Sequence, residues 1–296
     1  MALDFDPAHY AAFLVASLPG LAAAPLAQGR FGCLDAALDA APRKGIGIEL
    51  GVYKGTSLCR AARRQPWRQF HGFDSLKGFP ADGRPDWKLD FTVAAPPKLP
   101  PNCSFHAGFF EATLPRFVAA LGEPVAMVNV DCDIHSSALE GFTALSSRLG
   151  PGVTLHLDEA VNYDTWLFNE MLALFRFLDA RELDINWIAR SGRLRALEGT
   201  LCFLEAGRYP TWEDDVDAGY ARQAAGLLVA RSAPWPAAPA DMGRRLKARA
   251  LEHQAQSQLR EACHPDDPQR PPPKPALHRR ISRFIKRPFL PRSIGL

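Results

Sequence analysis

Acidic residues that follow two neighbouring predicted strands give this sequence its clearest candidate chemistry. Asp131-Cys132-Asp133 comes after one apolar run, and Asp158-Glu159 comes after the next. Ligands of an open parallel sheet bind outside the carboxyl ends of its strands, so we expect these side chains to converge. Because clustered carboxylates repel one another, they are most easily tolerated around a hard cation such as Mg²⁺. The alternative is one buried, hydrogen-bonded carboxylate among solvated neighbours.

A glycine-bearing segment is the second candidate site. Residues 48–57 read Ile-Glu-Leu-Gly-Val-Tyr-Lys-Gly-Thr-Ser and place Gly51 and Gly55 between a predicted strand and a predicted helix. Glycine lets a ligand approach the backbone, and the first turn of a helix offers N–H groups for binding. The segment lacks the middle glycine of the dinucleotide fingerprint, so a tight strand-to-helix turn without a ligand is the competing interpretation.

Asp74 and two histidines complete the set of candidate functional residues. Asp74 follows another predicted strand, 23 residues after Gly51, and a carboxylate at that separation can accept the ribose hydroxyls of a nucleoside. The alternative is that Asp74 only caps the next turn. His135 follows the first acidic pair and is a candidate general base, with a surface histidine as the alternative. His156 lies between two leucines of a predicted buried strand, which favours a hydrogen-bonded core role.

The pattern of short apolar runs alternating with helix-like stretches predicts an α/β fold with a parallel sheet and crossover helices. The first 44 residues are predicted to be helical, beginning at Asp6-Pro7, and to form a lid or an oligomer contact. Further helices are predicted over 137–149, 165–179, 216–232 and 241–262. The predicted strands are Ile46–Leu50, Gln69–Phe73, Ser104–Ala107, Val125–Val130, Thr154–Leu157, Ile185–Ala189 and Leu201–Glu205, the last two as a terminal hairpin.

The composition is that of a folded, water-soluble protein. The chain has 296 residues, of which 47% are hydrophobic and 23% charged, and it contains no uncharged apolar run of about 18 residues. The first 29 residues hold no Lys or Arg, unlike a signal peptide. Six cysteines without a Cys-x-x-Cys pair indicate neither a zinc ribbon nor a disulfide scaffold. We therefore expect a cytoplasmic protein with reduced thiols.

Positive charge is concentrated in the last 34 residues. Residues 263–296 carry a net charge of +6, whereas the rest of the chain carries −3. Six prolines between Pro265 and Pro275 predict a stiff, disordered tail. Apolar residues among its arginines also permit a basic helix on an anionic membrane, so peripheral membrane contact is the other interpretation. Nucleic-acid binding is not predicted, because no basic patch with interleaved aromatic residues occurs outside the tail.

Together these segments resemble the class I S-adenosylmethionine-dependent methyltransferases, specifically the metal-dependent, macrocin-type (TylF-like) sugar O-methyltransferases. The resemblance covers roughly residues 45–206 and is carried by residues 48–57, 72–80, 107–115, 130–133 and 157–159. It implies a Rossmann-like class I methyltransferase fold: a mostly parallel seven-stranded sheet with an antiparallel terminal hairpin and helices on both faces. The implied cofactors are S-adenosylmethionine and Mg²⁺, and the implied acceptor is a small molecule with a hydroxyl group, a sugar or a similar polyol.

The resemblance also implies a role for individual residues. Asp131, Asp158 and Glu159 match the metal positions, and Asp131 and His135 are the implied catalytic residues. Glu159 stands where the family has Asp or Asn, and His135 stands where it has Tyr. The implied cofactor-binding residues are Glu49, Gly51, Tyr53 and Ser57 for the methionine end, Asp74 for the ribose, and Gly108 and Phe109 for the adenine. Gly55 and Ser75 are also predicted to bind the cofactor.

Two other functions remain open at this point. An Asp-x-Asp motif after a strand also holds the metal and the sugar nucleotide of a glycosyltransferase, and a methyltransferase-like fold can serve as a binding module without catalysis. The predicted organisation is a helical segment at 1–44, a methyltransferase domain at 45–206, a helical extension at 207–262 and the basic tail at 263–296. We expect a homo-oligomer.

Overall fold

One seven-stranded sheet forms the centre of the protein. The computed structural model describes residues 3–80, 91–163, 165–192 and 222–262. In chain order the strands are β1 (Ile46–Leu50), β2 (Phe70–Asp74), β3 (Cys103–Ala107), β4 (Val125–Val130), β5 (Thr154–Leu157), β6 (Leu183–Arg190) and β7 (Ala224–Ala230). They are arranged as β3-β2-β1-β4-β5-β7-β6. β7 runs antiparallel to both of its neighbours, and the other adjacent pairs are parallel. The predicted fold class is confirmed.

The order of the strands reverses between β1 and β4. From β1 the chain adds β2 and β3 on one side, then crosses back to place β4 on the other side. Every residue of β1 and of β4 is buried, which explains their predominantly apolar sequences. A crevice forms outside the carboxyl ends of the strands where such a reversal occurs, and ligands of this fold class bind there.

Helices cover both faces of the sheet. They are α1 (Pro7–Ala23), α2 (Gly32–Ala40), α3 (Thr56–Arg64), α4 (Phe110–Ala120), α5 (His135–Leu145), α6 (Glu170–Ala180) and α7 (Ala240–Ala262). Residues of α1, α4, α5, α6 and the first part of α7 share one apolar core, and those of α2 and α3 belong to a second. None of the helices in the described ranges is long and apolar enough to cross a membrane.

The N-terminal segment is helical, as predicted, and it is part of the core. Asp6 caps α1 by accepting the Ala8 N–H at 2.9 Å, and proline occupies the first turn. Tyr10, Phe13 and Leu14 are fully buried, and α1 packs against β6. A lid or oligomer role for residues 1–44 stays a prediction.

One prediction of secondary structure is wrong. The helix predicted over 216–232 is the strand β7 at residues 224–230, which pairs with β5 and β6. Its alanines and leucines favour a helix by local propensity, but burial between two strands overrides that preference. Gly226 permits the tight fit, since a Cβ there would lie 2.4 Å from Ile185 Cγ1. The strand predicted at Leu201–Glu205 lies outside the described residues.

Candidate active site

Asp74 organises the loop between β1 and α3. Its Oδ2 accepts the backbone N–H groups of Val52 at 2.9 Å and Tyr53 at 2.8 Å, and its Oδ1 accepts the Leu76 N–H at 2.7 Å. Tyr53 adopts a positive φ of 48°, a conformation that these contacts help to hold. Asp74 therefore caps its own turn, as one sequence-based interpretation has it, and also lies against the glycine-bearing loop. Its role toward a ribose stays a prediction.

Gly51 is required by a close approach of two chain segments. Its φ is +85°, and a Cβ at this position would lie 1.9 Å from the carbonyl oxygen of Asp131. The end of β1 and the loop after β4 can therefore meet only if residue 51 lacks a side chain. Gly55 has a φ of +75° and begins α3 as its N-cap. The two predicted loops thus lie side by side at the crevice.

Glu49 belongs to a buried polar chain that crosses three strands. Ser57 Oγ donates to its Oε1 at 2.8 Å, and Asn129 Nδ2 donates to its Oε2 at 2.9 Å. His156 Nδ1 lies 2.5 Å from Asn129 Oδ1 on the far side, which confirms the predicted core role of this histidine. Burial raises the pKa of Glu49 from 4.5 to about 7 and lowers that of His156 to about 3. Protein donors thus meet both carboxylate oxygens of Glu49.

The remaining predicted cofactor residues lie next to Asp74 or beyond β3. Ser75 Oγ donates to the Gly78 carbonyl at 2.8 Å, which closes a turn. Gly108, with a φ of +135°, donates its N–H to the Asp74 carbonyl at 2.9 Å, and Phe109 is the N-cap of α4. The structure therefore brings Asp74, Ser75 and Gly108 together at the ends of β2 and β3.

Glu170, which the sequence analysis assigned no role, joins the two acidic loops. It is fully buried at the first position of α6 and accepts the Asp133 N–H at 3.3 Å and the Glu159 N–H at 3.1 Å. Burial, followed by the nearby Asp133 and Glu159 carboxylates, raises its pKa well above the usual range. A lone glutamate at the start of an apolar helix is the signal that could have indicated it.

Two residues just before β7 also escaped the sequence analysis. Arg222 Nη1 lies 2.8 Å from Glu159 Oε1, and both side chains are buried. The Gln223 side-chain amide donates to Asp158 Oδ1. Burial is the main influence on the pKa of Asp158 and raises it, whereas Gln223, Arg30 and Arg222 act in the opposite direction. The chain therefore supplies its own donors to the second acidic loop.

Asp131 differs from the other carboxylates at this edge. It is half-buried, and its side chain accepts no hydrogen bond from any residue in the described ranges. Burial, followed by repulsion from Asp158 and the surrounding carboxylates, raises its pKa well above the usual range. His135 lies nearby in sequence, half-buried at the first position of α5. Asp131 is thus the carboxyl group with capacity left for a ligand.

The residues predicted to hold Mg²⁺ do not fit that ion. Asp158 and Glu159 are engaged by the Gln223 amide and the Arg222 guanidinium. Within the described part of the chain, no group of three His, Cys, Asp or Glu side chains is arranged to hold a metal. The predicted ligand set of Asp131, Asp158 and Glu159 is therefore not assembled, because an arginine that local sequence patterns do not reveal pairs with one of its members.

Aromatic residues flank the loop that follows β1. The rings of Tyr53 and Phe91 meet edge to face with centroids 5.3 Å apart, and Phe79 meets Phe91 in the same way at 5.2 Å. All three side chains are half-buried. They form an aromatic cluster beside Asp74 that can contact a flat or ring-shaped ligand.

Comparison with known proteins finds one family model and several solved structures that are similar to this chain. A family model described as a methyltransferase domain matches residues 48–160. Among solved structures, the calicheamicin methyltransferase CalS11 is 19% identical, with 66% of this chain and 75% of that chain covered and a TM-score of 0.44. The O-methyltransferase NovP is 19% identical, with 53% and 72% covered and a TM-score of 0.40.

A third solved structure, the O-methyltransferase from Bacillus cereus in complex with SAH, is 14% identical, with 77% of this chain and 93% of that chain covered and a TM-score of 0.38. No curated protein sequence matches the chain. The matched segment runs from within β1 to the loop after β5. It contains Asp74 and the two acidic loops, residues 131–133 and residues 158–159. The part of the chain that holds both candidate loops is therefore similar to a methyltransferase domain.

Proposed function

We propose that this protein is an S-adenosylmethionine-dependent O-methyltransferase that transfers a methyl group to a hydroxyl of a sugar or a similar small polyol. The observation that carries the proposal is the position of Asp74, which holds the β1–α3 loop by two backbone hydrogen bonds inside the matched domain. A nucleoside with no phosphate to bind suits a loop of this kind at a crevice where the strand order reverses.

The proposed cofactor-binding site consists of residues around the β1–α3 loop. A carboxylate has about four lone-pair positions, and three described backbone donors occupy positions on Asp74. This leaves capacity for a ribose hydroxyl. Gly108 and Phe109, which follow β3 beside Asp74, are the proposed contacts for the adenine. Gly51 and Tyr53, which follow β1, are the proposed contacts for the methionine portion.

The proposed chemistry is an in-line displacement. Asp131 takes the proton from the acceptor hydroxyl, the oxygen forms a bond to the methyl carbon, and the carbon–sulfur bond breaks to leave a neutral thioether. The chain contributes by orienting the two reactants and by accepting the proton. His135 is the alternative base, and the aromatic cluster of Tyr53, Phe79 and Phe91 is the proposed wall for a sugar ring.

Methyl transfer to a set of sugar nucleotides and free polyols, read by mass spectrometry, tests this proposal. We expect one acceptor to gain a single methyl group while S-adenosylhomocysteine accumulates. Thermal-shift measurements with UDP-sugars form the second arm. Stabilisation by UDP-sugars but not by S-adenosylhomocysteine would favour the glycosyltransferase, and nucleoside binding without any transfer would favour the binding module. Cytoplasmic location and homo-oligomerisation stay predictions, as does membrane contact through residues 263–296, which lie outside the described ranges.

A further inference from the structure

We propose that the guanidinium of Arg222 takes the place of a divalent cation at the acidic edge, the carboxylates of Asp131, Asp133, Asp158, Glu159 and Glu170. Methyl transfer by this protein is then independent of divalent metal. The statement about methyl transfer rests on the proposed function, whereas the statement about Arg222 rests on the structure alone. It starts from the pairing of Arg222 Nη1 with Glu159 Oε1 at 2.8 Å.

Burial makes this ion pair different from an ordinary surface pair. Arg222 is 8% exposed and Glu159 is 3% exposed. Exposed ion pairs contribute little to stability, whereas removing one partner of a buried pair leaves an uncompensated charge in a medium of low polarity. A metal ion that recruited Glu159 would leave the guanidinium in that situation. Because arginine does not lose its proton in proteins, the unpaired guanidinium would remain a buried charge.

The fold fixes Arg222 at this place through its backbone. The Arg222 carbonyl accepts the N–H groups of Ala160 at 2.9 Å and Val161 at 3.2 Å, which directly follow Glu159. The guanidinium carbon also lies 5.4 Å from the centre of the Tyr163 ring. The side chain is therefore held against the second acidic loop by main-chain contacts that are independent of the ion pair itself.

Gln223 acts on the other residue of the same loop. Its side-chain amide donates to Asp158 Oδ1, and its main chain is fixed by Ser191, whose N–H donates to the Gln223 carbonyl at 2.9 Å. Two consecutive residues thus supply donors to two of the three predicted metal ligands. Asp131 alone is left, and a single carboxylate is one protein ligand for an ion that prefers six oxygens.

The charge balance of the edge supports the same conclusion. Asp131, Asp133, Asp158, Glu159 and Glu170 lie on two loops and the start of α6 that hydrogen bonds tie together. Arg222 brings a permanent positive charge to this group, and Arg30 also interacts electrostatically with Asp158. At the second acidic loop, a residue of the chain therefore supplies positive charge of the kind for which Mg²⁺ was predicted.

Calorimetric titration of the full-length protein with MgCl₂ and with MnCl₂, beside a titration with S-adenosylhomocysteine, tests the inference. We expect heat with the nucleoside and none with either metal, and we expect methyl transfer to keep its rate in EDTA. Metal binding to the parent protein, or loss of transfer in EDTA with recovery on adding Mg²⁺, would overturn the inference. Absence of nucleoside binding would instead count against the proposed function, so the two failures are distinguishable.

In variants of Arg222, the change in melting temperature on adding MgCl₂ distinguishes replacement of a cation from a purely structural role. Arg222→Met removes the guanidinium from Glu159 and should acquire stabilisation by MgCl₂ of a few degrees in melting temperature, whereas Arg222→Lys keeps the charge and should not. Arg148→Met is the matched control, because Arg148 is an exposed arginine that donates a hydrogen bond to the Val118 carbonyl and lies outside the acidic loops. An equal response to MgCl₂ in the parent protein and in Arg222→Met contradicts the inference. If Arg222→Met does not fold, the parent protein and Arg222→Lys decide the question.

Discussion

Asp74 Oδ2 accepts the backbone N–H of Tyr53 at 2.8 Å, so that one carboxylate at the end of β2 holds the loop that follows β1. The same carboxyl group accepts two more backbone donors, Val52 and Leu76. The positive φ of Tyr53 depends on these contacts rather than on a glycine. The conformation of the proposed cofactor loop is therefore set by a side chain that lies 21 residues further along the chain.

Replacing Asp74 by alanine should weaken both folding and cofactor binding. The change removes the acceptor of three backbone donors, so we expect the free energy of unfolding to fall by about 2 kcal/mol or more. Affinity for S-adenosylhomocysteine should fall by at least about tenfold, because the loop loses its support. Urea unfolding and calorimetry measure the two effects. Asp39→Ala, which removes an exposed ion pair with Arg64, is the control and should leave both quantities nearly unchanged.

Gly51→Ala should be strongly destabilising. Its Cβ would lie 1.9 Å from the Asp131 carbonyl oxygen, and the backbone is already in a conformation that alanine disfavours. We expect a loss of more than about 3 kcal/mol of unfolding free energy. Gly122→Ala is the comparison, since a Cβ there meets no atom within 4 Å, and it should change stability by less than about 1 kcal/mol. Similar unfolding midpoints for the two variants would contradict the close approach.

Much of the sheet is predictable from sequence because its central strands are short runs rich in apolar residues. Val125–Val130 and Thr154–Leu157 are predicted to the residue, since a strand covered on both faces is mostly apolar, and the few polar residues of these two strands form buried hydrogen bonds. Residues 224–230 are not predictable in this way. Their alanine- and leucine-rich sequence favours a helix, and only the neighbouring strands impose the extended conformation.

The candidate site shows the same division between local and distant causes. Asp74 and Gly51 are recognisable because each comes at the end of a predicted strand, and parallel strands bring such ends to one edge of a sheet. Arg222 and Glu159 are 63 residues apart in the sequence, so no local sequence pattern predicts that they pair. The predicted metal site fails for that reason. Trp166 belongs to a residue type that can stack on a sugar ring, but it is 1% exposed and packs in the core, which its sequence context does not reveal.

The buried carboxyl of Glu49 should make stability depend on pH. Its pKa rises from 4.5 to about 7 on folding because burial disfavours the charge. Between these pH values the folded protein keeps a proton on Glu49 that the unfolded chain has released. The contribution of Glu49 to the free energy of unfolding is therefore greatest below about pH 4.5 and is lost as the pH rises to about 7. The loss attributable to Glu49 is about 3 kcal/mol.

Urea unfolding at pH 5 and pH 8 measures this effect when the protein is compared with Glu49→Gln. Glutamine can accept from Asn129 and donate to Ser57 Oγ, so it keeps both hydrogen bonds without the charge. We expect the variant to gain stability relative to the parent protein as the pH increases. An equal difference between the two proteins at both pH values would show that Glu49 does not titrate in this range.

Asp131→Asn should separate catalysis from cofactor binding. The amide cannot accept the acceptor's proton as a carboxylate does, so we expect kcat to fall by about a hundredfold or more. Affinity for S-adenosylhomocysteine should stay within about twofold, because Asp131 is not part of the Asp74 loop. Steady-state kinetics of Asp131→Asn and His135→Gln identify the base. A larger fall in kcat for His135→Gln would transfer that role to the histidine.

Binding of S-adenosylhomocysteine to the full-length protein, measured by isothermal titration calorimetry with and without EDTA, tests the central proposal most directly. We predict one nucleoside per chain, a Kd on the order of micromolar, and the same value in both buffers. No detectable heat in either buffer would contradict the assignment of the Asp74 loop as a nucleoside site and, with it, the proposed methyl transfer.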